Sequence, residues 1–231
     1  MTRQISTDLI YHVLNRGVDK RNIFLDKKDY YRFIHDLFEF NNEDPTLNLH
    51  YTFKQNPIDV GHRYIKPRKL LVDILVFCLM PNHYHLLVKA KKEDALAMFM
   101  KKLNGGYAKY FNTKNSRVGA LFQGKYKAIP VTNDAHFIHL PYYIHFNPLD
   151  ISFPEWRKRK IKNPRKAIEF LSSYRWSSHL DYSGKKNFPS VTNRAFLLEY
   201  FGGHEEYIKN IEEWLNDFDL EDENLKPMLL E

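Results

Sequence analysis

Apolar residues along this chain follow two kinds of spacing. From Leu9 to Leu14 (LIYHVL) β-branched and aromatic residues run consecutively, which predicts a strand, and Asn15-Arg16-Gly17 ends it with turn chemistry. Behind Asp26, a capping residue, the stretch Lys27 to Glu39 places Tyr30, Phe33, Ile34, Leu37 and Phe38 at helical spacing. Residues 43–69 hold Pro45, Pro57, Gly61 and Pro67 without periodicity and end in the basic cluster Arg63, Lys66, Arg68 and Lys69, so they read as a long loop. Leu70 to Leu79 and His83 to Lys89 are apolar runs divided by Met80-Pro81-Asn82, the pattern of a hairpin with both strands largely buried.

A second helix is predicted over Glu93 to Tyr110, where Leu96, Phe99, Met100, Leu103 and Tyr107 recur. Ala120 to Val131 predicts a fourth strand bent at Gly124. Asn133 or Asp134 then caps a third helix that runs through Tyr142 to Asn147 and stops at Pro148. The order strand, helix, strand, strand, helix, strand predicts an α+β, ferredoxin-like βαββαβ fold. Its antiparallel sheet would carry helices on one face and leave the other free for a ligand. Residues 1–150 would form this domain. Residues 151–231 read as a C-terminal helical extension packed on it, with the basic run Arg157-Lys158-Arg159-Lys160, the segment Tyr174-Arg175-Trp176-Ser177-Ser178, helical patterns near 192–200 and 204–216, and an acidic tail.

With 231 residues, 43% hydrophobic and 15% aromatic, the chain can bury a sizeable core. The longest apolar stretch, Leu70 to Met80, is too short for a bilayer span of about 20 residues. The start, MTRQISTD, lacks the apolar segment of a secretory signal. Cys78, the single cysteine, excludes an internal disulfide and reads as a buried thiol in a reducing cytoplasm. Charge changes the picture more. The net value is +7, yet from Glu205 onward ten acids stand against two lysines, which leaves about +15 on residues 1–204. Such a surface suits a polyanion, nucleic acid first, because clustered Lys and Arg displace counterions from phosphates.

The stretch PNHYHLL (81–87) holds two imidazoles one residue apart. In a strand, His83 and His85 share a face and Tyr84 takes the other. Neutral imidazole is a metal ligand at pH 7, although a lone His-x-His is more often packing or surface histidine. The pair leaves a metal site incomplete. An oxygen donor as third ligand would favour magnesium or manganese, and a cysteine or third histidine would favour zinc. Cys78, with no CxxC partner, is a poor candidate. In YYIHFNP (142–148), Tyr143 and Asn147 stand four apart on one helical face, so a phenol and an amide could point together at the sheet. A core tyrosine and a C-terminal cap fit that spacing too.

Seven motifs in order carry a resemblance: Asn15-Arg16-Gly17, FLDKKDYYRF (24–33), LMPNHYHLLV (79–88), GGYAKYFN (105–112), LFQGKYKA (121–128), YYIHFNP and SYRWSSH (173–179). From about residue 8 to 200 the chain resembles the single-tyrosine HUH transposases (IS200-like), and within them the REP-associated tyrosine transposases. The resemblance implies a ferredoxin-like fold and a divalent metal, Mg2+ or Mn2+, held by His83, His85 and Asn147. It also implies Tyr143 as the nucleophile of a covalent 5′-phosphotyrosine link. Tyr84 stands where an aliphatic residue is more usual. Tyr107 and Tyr110 fall on the second helix, and Tyr142 points about 100° away from Tyr143.

The implied substrate is single-stranded DNA with hairpins from palindromic repeats, in a bacterial cytoplasm and away from membranes. Arg16, Arg63, Arg68, Lys69, Lys125 and Lys127 are expected to track its backbone, with aromatics among them stacking unpaired bases. Lys125 stands where arginine is commoner and lacks the bidentate fork. Family members act as monomers or as homodimers that exchange the tyrosine helix, and both states stay open for this chain. The alternative is a non-catalytic single-stranded nucleic-acid-binding module using the free sheet face without metal, although its RNP-type aromatics are not evident. A zinc hydrolase would want HExxH or paired-cysteine spacing, which the chain lacks.

Overall fold

The computed structural model describes residues 6, 9–46, 67–158 and 160–217. Strands β1 (Ile10–Arg16), β2 (Val72–Met80), β3 (His83–Ala90) and β4 (Lys127–Val131) form one antiparallel sheet in the order β2-β3-β1-β4. Helices α1 (Lys27–Glu39) and α2 (Ala95–Lys114) complete the expected βαββαβ path. Asp26 caps α1 by accepting from the backbone N–H groups of Lys28 and Asp29. The first core lies between these helices and one sheet face, where Val13, Ile74, Phe77, Tyr84 and Leu86 meet Phe33, Leu37, Phe99 and Tyr107. Gly106 lets α2 come close to α1, since a Cβ there would stand 2.4 Å from the Phe40 ring.

The second face is not free. A bulge between Ile74 and Val76 bends β2, and Leu75, Val76, Cys78, Met80 and Leu87 belong to a second buried core. Strands that are apolar on both faces need cover on both. Helix α3 (Asp134–Phe146), apolar around most of its circumference, supplies it over β2 and β3. Asn133, rather than Asp134, is its cap, accepting from the His136 N–H at 2.7 Å. Outside α3 lie α4 (Leu149–Ser152), a 3-10 turn (Pro154–Lys158), α5 (Pro164–Ser173), α6 (His179–Tyr182), α7 (Ala195–Phe201) and α8 (His204–Asp217). Leu171, Tyr182, Leu197 and Tyr207 from these segments join the second core.

The extension also closes the outer edge of β2. The Leu79 N–H donates to the Trp176 carbonyl (2.9 Å), that of Ser178 to Phe77 (3.0 Å), and that of Asn193 to Ile74 (2.8 Å). Trp176 stacks on Tyr30 with ring centroids 4.6 Å apart, and the Tyr174 hydroxyl donates to the Leu79 carbonyl at 2.6 Å. The YRWSS segment thus fastens the extension to the domain. Cys78, the single cysteine, is buried.

β4 is shorter than the sequence predicts. Phe122 bridges Gly17, the Gln123 N–H donates to the Arg16 carbonyl at 2.9 Å, and the chain bends before pairing resumes at Lys127. Pro130 is tolerated because β4 is an edge strand. Residues 47–66 of the long loop, Arg63 and Lys66 among them, and the acidic tail past Asp217 lie outside the described residues. No helix among the described residues is long and apolar enough to cross a membrane.

Candidate active site

Register sets the histidines. His83 stands opposite Arg16 and His85 opposite Leu14, all on the face that α3 crosses. The two imidazoles lie 4.9 Å apart between centroids at an interplanar angle of 82°. Tyr84 takes the other face, where its hydroxyl donates to Asn104 Oδ1 at 2.6 Å and burial raises its pKa well above the ordinary phenol range. Each candidate ligand has its Nδ1 engaged, that of His83 with Asn82 Oδ1 at 2.6 Å and that of His85 with His12 Nε2 at 2.9 Å. The His12 and His85 rings stack at 5.1 Å.

α3 lays Tyr143 against this pair. Its ring meets the His85 ring edge to face, with centroids 6.4 Å apart at 88°, and the side chain is fully buried. Arg157 Nη1 donates to the Tyr143 hydroxyl at 3.1 Å, and Nη2 donates to Asn147 Oδ1 at 3.4 Å. Two further bonds, from Nε (2.7 Å) and Nη2 (2.6 Å), reach the Asp150 carboxylate, which also accepts from Trp156 Nε1 at 2.7 Å. Asn147 Nδ2 donates to the Tyr143 carbonyl at 2.9 Å, so the amide does cap the helix end while its oxygen faces Arg157.

The competing tyrosines point elsewhere. Tyr142 stacks on Tyr207 and Trp214, accepts from Asn210 Nδ2 at 3.1 Å, and is pushed up to about 12 by burial. Tyr107 and Tyr110 lie on the opposite side of the sheet and donate to the Ile23 carbonyl (2.5 Å) and to Asp29 (3.0 Å). His145, two residues from Tyr143, joins a different network. Its Nδ1 meets the Tyr207 hydroxyl at 2.7 Å and its Nε2 meets Ser178 Oγ at 2.8 Å, while His179 Nδ1 reaches the same Tyr207 hydroxyl at 2.9 Å. Burial holds both imidazoles neutral, His179 down to about 4 and His145 well below the ordinary histidine value.

Arg16, Lys125 and Lys127, with Asn15, Lys20 and Gln123, line a cleft of about 380 Å³ at the His83 end of the sheet. Lys20 belongs to a 3-10 turn (Val18–Lys20) in which Asp19 and Lys20 both adopt positive φ, 55° and 57°. Arg68 and Lys69 are not brought there. They precede β2, whose far end meets His83. Arg68 donates to the Phe38 and Asn41 carbonyls with its guanidinium 3.7 Å over the Phe38 ring, and the backbone of Lys69 bonds Asn42 and Glu43.

Both rings lie on one face with each Nδ1 in contact with a neighbour, so Nε2 is the atom that each could offer to a divalent ion. Among the described residues no three His, Cys, Asp or Glu side chains cluster as a metal site. A third protein donor of the amide type, as Asn147 would be, has its oxygen turned toward Arg157 in this arrangement.

Residues 50–147 match the family described as "Transposase IS200 like", a span that holds β2 through α3, both histidines and Tyr143. The chain is also similar to a solved structure described as "Structure of the REP associates tyrosine transposase bound to a REP hairpin", at 12% identity and a TM-score of 0.48, covering 84% of this chain and 93% of that one. No curated protein matches. Arg157, Asp150 and Trp156, which surround Tyr143, lie beyond the matched span. Sequence reasoning missed them because the chain reverses through α4 and the 3-10 turn, and no periodicity reports that reversal. His12 was missed too, although strand alternation from Leu14 places it on the histidine face.

Proposed function

We propose that this protein is a metal-dependent DNA strand transferase that cleaves and rejoins single-stranded hairpin DNA through Tyr143. The observation that carries the reading is the seating of the Tyr143 ring on His85, both within the span that matches the IS200-like family, with the Tyr143 hydroxyl bonded to Arg157 from beyond it. The Tyr143 oxygen would attack a backbone phosphorus, forming a 5′-phosphotyrosine bond while the bond to the 3′-oxygen breaks. The phenol proton leaves, and the 3′-oxygen departs as a hydroxyl. A later attack by a 3′-hydroxyl on the same link rejoins strands and returns the phenol. A divalent ion, Mg2+ or Mn2+, on His83 and His85, with Asn147 as third ligand, would supply charge neutralisation at the phosphate oxygens.

Arg157 would hold the phenolic oxygen and offset its developing charge. Because Tyr143 is buried under Trp156 and Arg157, attack requires these side chains to uncover it when DNA enters. The cleft with Arg16, Lys20, Lys125 and Lys127 would take the strand that leads to the site.

The test is a denaturing gel of the protein incubated with Mg2+ or Mn2+ and single-stranded hairpin oligonucleotides. A covalent adduct is expected with wild type and none with Tyr143→Phe. DNA binding that needs no metal and survives His83→Ala, with no adduct on any hairpin tried, would replace the transferase by a binding module.

A further inference from the structure

We infer that Asn82 and His12 are positioning residues for His83 and His85, each accepting the Nδ1–H of its neighbour so that both imidazoles present Nε2 on the same side of the sheet. The inference deepens the metal reading and rests on it for its purpose, but the proton placement is argued from this chain alone.

The orientation of the Asn82 amide decides the first half. Its Nδ2 lies 3.1 Å from the Lys20 carbonyl, which can only accept, so Nδ2 donates there and Oδ1 faces His83. An amide oxygen can only accept. The proton of the 2.6 Å contact therefore sits on His83 Nδ1, and in the neutral ring the lone pair lies on Nε2. Many residues would satisfy a two-residue hairpin turn, but a side chain that accepts at one end and donates at the other is a narrower requirement. Asn82 meets it while its own carbonyl accepts from the Gly17 N–H at 2.8 Å.

His12 serves His85 from the neighbouring strand. It stands opposite Leu87 and is thus the diagonal neighbour of His85 on the same face, 2% exposed. A buried imidazole at a position where Leu or Phe would pack is costly unless it hydrogen-bonds. Its Nε2 does so with His85 Nδ1 at 2.9 Å beneath the stacked rings, and in a neutral His85 only a proton on Nδ1, with His12 accepting, leaves the Nε2 lone pair for a cation. With His85 donating, both candidate ligands carry the same tautomer.

The first experiment is long-range 1H–15N correlation spectroscopy on the metal-free protein with labelled histidines, assigned by single substitutions. Nδ1 protons on His83 and His85 are expected, and an Nε2 proton on either overturns the inference. The second measures Mn2+ affinity by electron paramagnetic resonance beside thermal midpoints. His12→Phe keeps a ring but removes the acceptor, and Asn82→Leu removes it at His83, so each should weaken Mn2+ binding about 10–100-fold in folded protein. Asn82→Asp keeps the oxygen while losing the donor to Lys20 and should bind Mn2+ at least as tightly as wild type. Wild-type affinity in both His12→Phe and Asn82→Leu would overturn the positioning role. Nδ1 protons on both rings with no Mn2+ bound by wild type would overturn the metal reading and the positioning role with it, leaving only the tautomer assignment.

Discussion

Arg157 donates to the Tyr143 hydroxyl across 3.1 Å, and the same guanidinium is clamped by two bonds of 2.7 and 2.6 Å to Asp150. The carboxylate fixes the plane of the guanidinium, which in turn fixes where the phenolic oxygen points. A lysine carries the charge without the fork and cannot serve Asp150 and Tyr143 in the same way.

Arg157→Lys should therefore slow adduct formation while DNA affinity stays within a few-fold. A hydrogen bond to a charged group contributes about 1.5–3 kcal/mol, which corresponds to roughly 10–100-fold in rate. Single-turnover gels and a separate binding titration separate the two effects. An unchanged rate removes Arg157 from the reaction.

Tyr143→Phe and Tyr142→Phe form a matched pair. Both remove one hydroxyl from a buried ring on adjacent positions of α3, and each loses one hydrogen bond, to Arg157 or to Asn210, for about 1 kcal/mol of stability. Thermal midpoints of the two should be similar. Adduct should vanish in the first and persist in the second, and the opposite pattern would transfer the role to Tyr142.

Strand alternation and helical spacing were enough to place β1, α1, the β2–β3 hairpin and α3, because each buries a continuous apolar face at its own period. That His83 and His85 share a face, and that Tyr143 and Asn147 do, was legible as local spacing on regular elements, whereas the roles expected of them came from the family resemblance alone. The cover on the second sheet face was not legible. Leu75, Cys78, Met80 and Leu87 call for a partner, and α3 answers because the chain after β4 crosses to the second face, a path that no local period reports. Arg157 illustrates the loss: read in sequence it opens a basic run, whereas in space Asp150 turns it inward. Arg68 errs in the other direction, a basic side chain at a loop end that spends its donors on the Phe38 and Asn41 carbonyls.

The His145–Tyr207–His179 network predicts an acid-labile contact between α3 and the extension. Burial holds His179 at about 4, whereas the unfolded chain titrates near 6.5. Between those values the unfolded state binds the extra proton. The stabilisation is thus fully present above about 6.5 and is lost as pH falls toward 4, by about 1.4 kcal/mol per pH unit.

Asp36 acts with the opposite sign. Burial raises its carboxyl to about 7 despite Arg32 at 3.0 Å, so its contribution falls as pH rises from the unfolded carboxylate value. The His179 effect is therefore read as a difference. Wild type minus His179→Gln, measured by urea unfolding, should shrink on going from pH 6.5 to 4.5. A difference that does not change with pH refutes it.

Where the basic residues sit separates two kinds of arginine and lysine. Arg16 and Lys127 line the cleft at the His83 end, while Arg68 lies before β2 at the other end of the sheet with its guanidinium bonded to backbone carbonyls. A residue that neutralises a phosphate releases counterions, so losing it lowers the slope of log affinity against log salt by about 0.7 for a single strand. Arg16→Gln and Lys127→Gln should each show that reduction and weaken binding of hairpin DNA at low salt. Arg68→Gln should leave the slope at its wild-type value and instead cost about 2 kcal/mol of stability, because it abandons the carbonyls of Phe38 and Asn41. Salt titrations of binding, run beside urea unfolding of the three variants, decide the matter. A lowered slope in Arg68→Gln at unchanged stability would move the DNA path to the far end of the sheet, away from Tyr143.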